Sequence, residues 1–337
     1  MKKLGVLIGR FQPFHWGHDS LLQEALRHCD EVLILIGSSQ RARSIKNPWT
    51  FQERCTMIRT AYPEQTLHFA AIPDYFYDEA AWFQAIHQAV QQAFPDAQPL
   101  LVGHSKDASS YYLQHFPDWE TRECPDFKHI NATAIRQAFL LQQEIPHALL
   151  PPAVADFLQQ FMHTPLYTHL REEALFIQAY RQSWTSAPYP PIFATVDAVV
   201  ICAHHILLIE RGQAPGKGLL ALPGGFLEAN EWTHAGLMRE LKEETCIALT
   251  DSRLQQALQD IVLYDYPERS NIGRVITHAG LFILDEEVCP AVTAQDDAKR
   301  AAWYPLDQLA ALQDQFHDDH YQIIRHLLAR SGILTWS

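Results

Sequence analysis

In the first part of the chain, short runs of consecutive apolar residues alternate with stretches whose apolar residues recur every three to four positions. Residues 6–9, 32–37, 68–73 and 100–103 have the length and continuity of buried strands. Between them Leu22, Leu26 and Cys29 mark one helical face, and Trp82, Ile86, Ala89 and Val90 mark another. Alternating strands and helices with unbroken apolar strands predict a parallel sheet covered on both sides, with ligands gathered at the carboxyl ends of its strands. From Asn131 to about Gln182 the pattern is helical, with breaks at Pro146, Pro151-Pro152 and Pro165. Residues 183–191, rich in proline, cannot continue a helix and predict a linker. Beyond it, residues 198–203 and 206–210 flank His204-His205 as a hairpin would, and a helix follows Pro223-Gly224-Gly225. Further strands are expected at 261–266, 274–284 and 301–304, with a closing helix over 321–330. The expected class is therefore α/β. A Rossmann-like parallel-sheet domain over 1–182 is joined by a linker (183–191) to a mixed α+β domain over 192–337, without an internal repeat.

Composition narrows the partners. A chain of 337 residues has room for two domains at about 150 residues each. Acidic residues outnumber basic ones 39 to 26, giving a net charge of −13, so a nucleic acid backbone would repel the chain. Apolar runs such as 32–36 fall far short of the ~18 residues that span a bilayer. The N-terminal apolar stretch ends at Arg10, too soon for a secretory signal. Six dispersed cysteines without a C-x-x-C pair read as reduced thiols, neither a disulfide scaffold nor a zinc site. The expectation is a cytoplasmic protein with small-molecule partners, no nucleic acid and no membrane, a homo-oligomer being left open.

Two constellations carry chemistry. The first is Gly9-Arg10-Phe11-Gln12-Pro13-Phe14-His15-Trp16-Gly17-His18, directly after the first strand and at the entry to a helix. A helix N-terminus offers unpaired N–H groups and partial positive charge to an anion. Gly17 allows close backbone approach, and Arg10 adds a cation suited to phosphate. A lone H-x-x-H is ordinarily a core pair; Gly9, Arg10, Pro13 and Gly17 around it after a strand point to phosphate instead. A second helix start at Asn131-Ala132-Thr133-Ala134-Ile135-Arg136 has Asn131 placed to cap it and Thr133 and Arg136 on one face.

The pattern Gly-Arg-Phe-x-Pro-x-His-x-Gly-His closely resembles the signature of the nucleotidyltransferase superfamily. Gly37-Ser38-Ser39, Asn47-Pro48-Trp49-Thr50 with Glu53-Arg54, and Val102-Gly103-His104 with Lys106-Asp107 resemble its archaeal-type nicotinamide-nucleotide adenylyltransferases over roughly residues 3–170. Asn131 stands where that family usually has serine, and either caps a helix. The resemblance implies transfer of AMP from the substrate ATP to nicotinamide mononucleotide, giving NAD and pyrophosphate. It implies that His15 and His18 hold the α- and β-phosphates, with His18 also stabilising charge at the α-phosphorus. Arg10, Arg136 and Thr133 would serve the polyphosphate. Phe14, Gly37, Ser38, Lys106 and Asp107 would line the substrate site, with Trp82 stacking on nicotinamide or simply packing a helix face.

The second constellation runs Gly225, five residues, Glu231, seven residues, then Arg239-Glu240-Leu241-Lys242-Glu243-Glu244-Thr245-Cys246-Ile247. Glu240, Glu243 and Glu244 at i, i+3 and i+4 repel one another unless a divalent cation joins them, and hard oxygen ligands suit Mg²⁺ or Mn²⁺. Met238 and Leu241 are expected to anchor the opposite face. This pattern resembles the Nudix box, with Cys246 in place of its final glycine, which is expected to shift the helix end slightly. The resemblance implies that Glu240 and Glu244 hold metal beside Gly224 and that Glu243 assists ligation or activates water. Arg239 and Glu231 would pair in support. Pro267-Glu268-Arg269-Ser270, Gly273-Arg274 and Thr277-His278 resemble Nudix domains fused to this adenylyltransferase, which hydrolyse ADP-ribose to AMP and ribose 5-phosphate. Arg269 and Arg274 would then meet phosphate or adenine, and Asp296 or Asp297 would add a ligand. Two rival readings are a transferase acting on another phosphate acceptor, such as phosphopantetheine, and a Nudix half that senses a ligand without cleaving it. The intact glutamate set and the absence of a basic helix-turn-helix segment argue against the sensor.

Overall fold

The computed structural model describes residues 2–104, 115–125, 127 and 129–333. The chain divides into two compact units between Ala174 and Leu175.

In the first unit the strands are β1 (Lys3–Gly9), β2 (Glu31–Ile36), β3 (Leu67–Ala71), β4 (Gln98–His104) and β5 (Glu120–Cys124). They pair in parallel in the order β3-β2-β1-β4-β5. Alternate residues supply two cores, as the unbroken apolar strands require. Leu7, Val32, Ile34, Leu100 and Val102 face one side, while Leu4, Val6, Leu33, Leu35 and Leu101 face the other. Helices α1 (Trp16–His28), α2 (Phe51–Ala61), α3 (Glu79–Ala93), α4 (Ala132–Gln137), α5 (Pro152–Phe161) and α6 (Pro165–Ser183) follow in chain order among them. β5 and α2 are additions to the expected elements. β5 is mostly charged and exposed at the sheet edge, so no apolar run announces it. α2 is set by a capping box, in which Thr50 and Glu53 satisfy each other's backbone amides.

The second unit holds β6 (Ile192–Cys202), β7 (His205–Arg211), β8 (Leu220–Ala221), β9 (Gly224–Phe226), β10 (Leu258–Tyr264), β11 (Arg274–Leu284) and β12 (Ala298–Pro305). The main path is β10-β11-β6-β7-β12, with β8 on β7 and β9 on β6. β11 and β6 are parallel and the other neighbours antiparallel, so the sheet is mixed as expected. Ala203 and His204 turn the β6–β7 hairpin with positive φ. Helices α7 (Thr233–Thr245), α8 (Asp251–Ala257) and α9 (His320–Arg330) complete the unit. α7 is anchored by Leu237 and Leu241, both wholly buried, and Met238 sits only at the margin of that core. Gly280 makes the approach possible, since a Cβ there would lie 2.7 Å from Leu237 Cδ1.

The expected linker at 183–191 does not coincide with the division. α6 runs on to Ser183; its early residues Tyr167, Leu170 and Ala174 belong to the first core, whereas Arg181 near its end donates to the Asn271 carbonyl of the second unit at 2.6 and 3.0 Å. The helix itself therefore carries the boundary.

Candidate active sites

The first site forms at the carboxyl edge of the parallel sheet. His15 is 3% exposed and caps α1, its Nδ1 accepting the amides of Gly17 and His18. The two imidazoles stack with centroids 3.8 Å apart, and His18 lies 4.7 Å from the Phe11 ring. Gly17 also makes room for the His15 ring, which a Cβ there would meet at 3.0 Å. Phe14 is fully buried in the core and stacks on His18 at 5.9 Å, so it backs the site.

Loops after neighbouring strands are tied together here. Gly37 donates its amide to the Gly9 carbonyl at 2.9 Å. Phe11 and Ser38 both hold left-handed backbones, at φ 51° and 48°, a cost of about 1 kcal/mol or more for each non-glycine residue. Ser38 Oγ donates to Asp74 at 2.9 Å. Arg54 explains how the loops stay put. It is 1% exposed and donates to the carbonyls of Arg10 and Gly37 at 2.7 Å, Ser38 at 3.1 Å and Thr50 at 3.2 Å. Burial lowers its pKa to about 10, which still leaves it charged at neutral pH. Arg10 itself is exposed, where a polyphosphate can reach it.

Asn131 caps α4 by accepting the Thr133 amide at 2.8 Å, as expected. Arg136 is buried, and its guanidinium donates to the Gln12 carbonyl at 2.8 Å and to Thr133 Oγ1 at 3.0 Å. It therefore braces the His15 loop against α4. His104 bridges similarly, with Nδ1 3.1 Å from the Cys124 carbonyl and Nε2 3.3 Å from that of Gly17. Trp82 is half-buried in the first turn of α3, edge-on to Phe83 at 5.1 Å. Lys106 and Asp107 lie outside the described residues.

The second site lies on α7. The three glutamates do not share one environment. Glu240 and Glu244 are 9% and 4% exposed, whereas Glu243 turns outward. Arg239 ties the acidic groups together, donating to Glu231 at 2.6 and 3.1 Å and to Glu240 and Glu243 at 2.8 Å. Gly224 donates its amide to Glu244 Oε2 at 2.8 Å, and a Cβ on Gly225 would lie 2.6 Å from the Glu240 carboxylate. Burial raises the pKa of Glu240 and pushes that of Glu244 up to about 8. Asp296, left-handed at φ 55°, adds repulsion at Glu240.

Desolvated neighbouring carboxylates of this kind suit a hard divalent cation, which would remove both the burial penalty and the repulsion. Glu240 and Glu244 are the residues that would hold it. Among the described residues no three acidic, imidazole or thiol side chains are already gathered at ligating distance. Cys246 ends the helix in the left-handed conformation that glycine favours, at φ 43° and ψ 35°.

Of the two arginines expected to meet substrate, Arg269 is occupied within the protein and Arg274 is partly exposed. Arg269 is 5% exposed and paired bidentately with Asp319 at 2.8 and 3.0 Å, because that buried carboxylate needs a counter-charge. Arg274 donates to the Asp265 carbonyl at 2.6 Å. Thr277, part of the segment quoted above, and Asp197, Asp319 and His320, which no motif singled out, are buried as well.

The sequence matches the Cytidylyltransferase-like family over residues 6–138 and the NUDIX domain family over residues 192–327. A crystal structure of a bifunctional NMN adenylyltransferase/ADP ribose pyrophosphatase from Francisella tularensis, complexed with AMP and a manganese ion, superimposes with a TM-score of 0.93. It is 38% identical, covering 98% of this chain and 100% of its own. The chain belongs to this bifunctional family. Its two halves also match separate relatives. The nicotinamide/nicotinic acid mononucleotide adenylyltransferase of Acinetobacter baylyi is 36% identical over 173 residues, 50% of this chain and 91% of that protein. The ADP-ribose pyrophosphatase of Methanocaldococcus jannaschii is 36% identical over 130 residues, 39% of this chain and 69% of that protein. The two family matches thus fall one in each compact unit.

Proposed function

We propose that the chain carries two activities of NAD metabolism. The first unit transfers AMP from ATP to nicotinamide mononucleotide, releasing pyrophosphate. The second hydrolyses ADP-ribose to AMP and ribose 5-phosphate. The observation behind this reading is that a stacked imidazole pair at a helix start and a buried carboxylate pair on the box helix occur in one chain, each in its own compact unit.

In the transferase, an oxygen of the mononucleotide 5′-phosphate attacks the α-phosphorus of ATP, and the bond to the pyrophosphate oxygen breaks. The attacking phosphate is already ionised near neutral pH, so positioning and charge neutralisation carry the rate. His15 presents a ring whose Nδ1 is fixed by the helix, and His18 lies against it. Arg10 adds an exposed cation, while Arg54 and Arg136 hold the loops. Trp82, in the first turn of α3, would flank the nicotinamide ring.

In the hydrolase, Mg²⁺ or Mn²⁺ held by Glu240 and Glu244 would neutralise the diphosphate and acidify an attacking water. Gly224 fixes the Glu244 carboxylate, and Arg239 fixes Glu240 and Glu243. No helix of the described residues is long and apolar enough to cross a membrane, which accords with a cytoplasmic enzyme acting on small molecules.

The test is a pair of assays on the full chain, nicotinamide mononucleotide with ATP and, separately, ADP-ribose with Mg²⁺. His18→Ala should lower NAD formation at least about 100-fold and leave ADP-ribose hydrolysis intact. Glu244→Gln should do the reverse. Absence of NAD from the wild type, or loss of both activities in either folded variant, overturns the reading.

A further inference from the structure

Behind the Gly224 turn lies a connected set of buried polar side chains. Arg269 donates through Nε and Nη2 to both oxygens of Asp319, which is 0% exposed. Its Nη2 also lies 3.8 Å from Asp197 Oδ2, and Thr277 Oγ1 donates to that same oxygen at 2.5 Å. The other oxygen, Asp197 Oδ1, is 4.0 Å from His320 Nδ1, which accepts the Leu222 amide at 3.0 Å. Asp197 stands opposite Gly224 in the β6–β9 register, and a Cβ on Gly224 would come within 2.7 Å of Oδ1. Gly224 in turn donates to Glu244.

Such an arrangement is a poor source of stability. Taking these charges out of water costs several kcal/mol per ion, and apolar replacements of buried ion pairs are often as stable or more so. Asp319 also occupies the N-cap position of α9 yet makes no capping hydrogen bond, so local helix stability is forgone for the contact with Arg269. What a bidentate, fully buried pair supplies is fixed geometry.

We propose that the buried Arg269–Asp319 pair, acting through Asp197 and His320, is a positioning element of the hydrolytic centre. It holds the segment from Leu222 to Gly225 so that Gly224 presents Glu244 to the cation. This inference rests on the reading of Glu240 and Glu244 as the cation centre for ADP-ribose hydrolysis.

The experiment measures Mn²⁺ affinity by electron paramagnetic resonance on the full chain, together with kcat and KM for ADP-ribose and the thermal unfolding midpoint. Arg269→Gln should weaken Mn²⁺ binding and lower kcat by about 10- to 100-fold each, in protein that is still folded. Adding Asp319→Asn should recover much of the loss, because the unpaired buried carboxylate is then removed. Thr277→Val, which keeps the side-chain volume, should weaken Mn²⁺ binding by about threefold. A purely structural role would lower only the unfolding midpoint; Mn²⁺ affinity and kcat of folded Arg269→Gln within about twofold of wild type overturn the proposal. Should Arg269→Gln fail to fold, unchanged Mn²⁺ affinity in Thr277→Val overturns it instead. A wild type that binds Mn²⁺ but leaves ADP-ribose uncut refutes the substrate, while the Mn²⁺ affinities still decide the positioning role.

Discussion

His15 caps helix α1 with its own imidazole, Nδ1 accepting the amide of Gly17 at 3.1 Å and that of His18 at 3.4 Å. A ring nitrogen that accepts bears no hydrogen, so the neutral ring carries its proton on Nε2. One side chain therefore starts the helix and offers a donor to phosphate. Substitution separates the two tasks. Asparagine also caps helices well, so His15→Asn should unfold within about 0.5 kcal/mol of wild type, and His15→Ala about 1 kcal/mol below it. Both should lose NAD formation at least about 100-fold. Urea unfolding and the NAD assay check the split, and an active His15→Asn protein would show that the imidazole donor is dispensable.

Arg54 is the counterpart on the loop side. Its planar fork serves carbonyls from three loop residues and from Thr50, which a lysine ammonium cannot match. Arg54→Lys should leave buried carbonyls unpaired and destabilise the first unit by about 2–3 kcal/mol. The loops it holds carry Arg10 and Ser38, so KM for ATP should rise. A denaturation curve and an ATP saturation series measure both. An unchanged KM at full folding would confine Arg54 to stability.

The parallel strands and the box helix were legible because apolar periodicity and turn chemistry determine them locally. β5 was not, since a charged edge strand is held by pairing with β4 and not by its own pattern. At the sites, the residues proposed to meet ligand were legible and those that hold them were not. His15 and Glu244 sit in dense motifs, whereas Asp197, Asp319 and His320 meet only in space. Arg269 was assigned to substrate because an arginine in a polar segment gives no sign of burial. Glu243 was grouped with its neighbours because helical spacing alone does not say which of the three carboxylates the rest of the unit covers.

His320 makes the second unit sensitive to acid. Burial lowers its pKa from the ordinary 6.5, against Asp197 and Asp319, which favour the charged ring, and alongside Arg269 and Arg211, which oppose it. Its Nδ1 must stay unprotonated to accept from Leu222. The unfolded imidazole takes up a proton near pH 6.5 and the folded one only at lower pH, so stability is present above 6.5 and is lost as pH falls below it. The slope from this residue is at most about 1.4 kcal/mol per pH unit. Urea unfolding of the second unit at pH 7.5, 6.5 and 5.5 should therefore fall more steeply for wild type than for His320→Asn. Parallel slopes would remove His320 from the acid response.

Cys246 ends α7 in a left-handed conformation, at φ 43°, with its amide bonded to the Lys242 carbonyl at 2.8 Å. A side chain with a Cβ meets steric strain there of about 1–2 kcal/mol, which glycine avoids. Glycine gives back part of that gain through its greater freedom in the unfolded chain. Cys246 also directs its thiol to Gln295 Oε1 at 2.8 Å, a weak bond that offsets little. Cys246→Gly should thus stabilise the second unit by about 0.5–1 kcal/mol. Because Glu240 and Glu244 lie on the preceding turns and the helix end already has the glycine geometry, kcat for ADP-ribose should stay within about twofold of wild type, a difference below about 0.5 kcal/mol. A thermal melt reads the first expectation and a saturation curve the second; a destabilised variant would mean that the thiol contact outweighs the backbone strain.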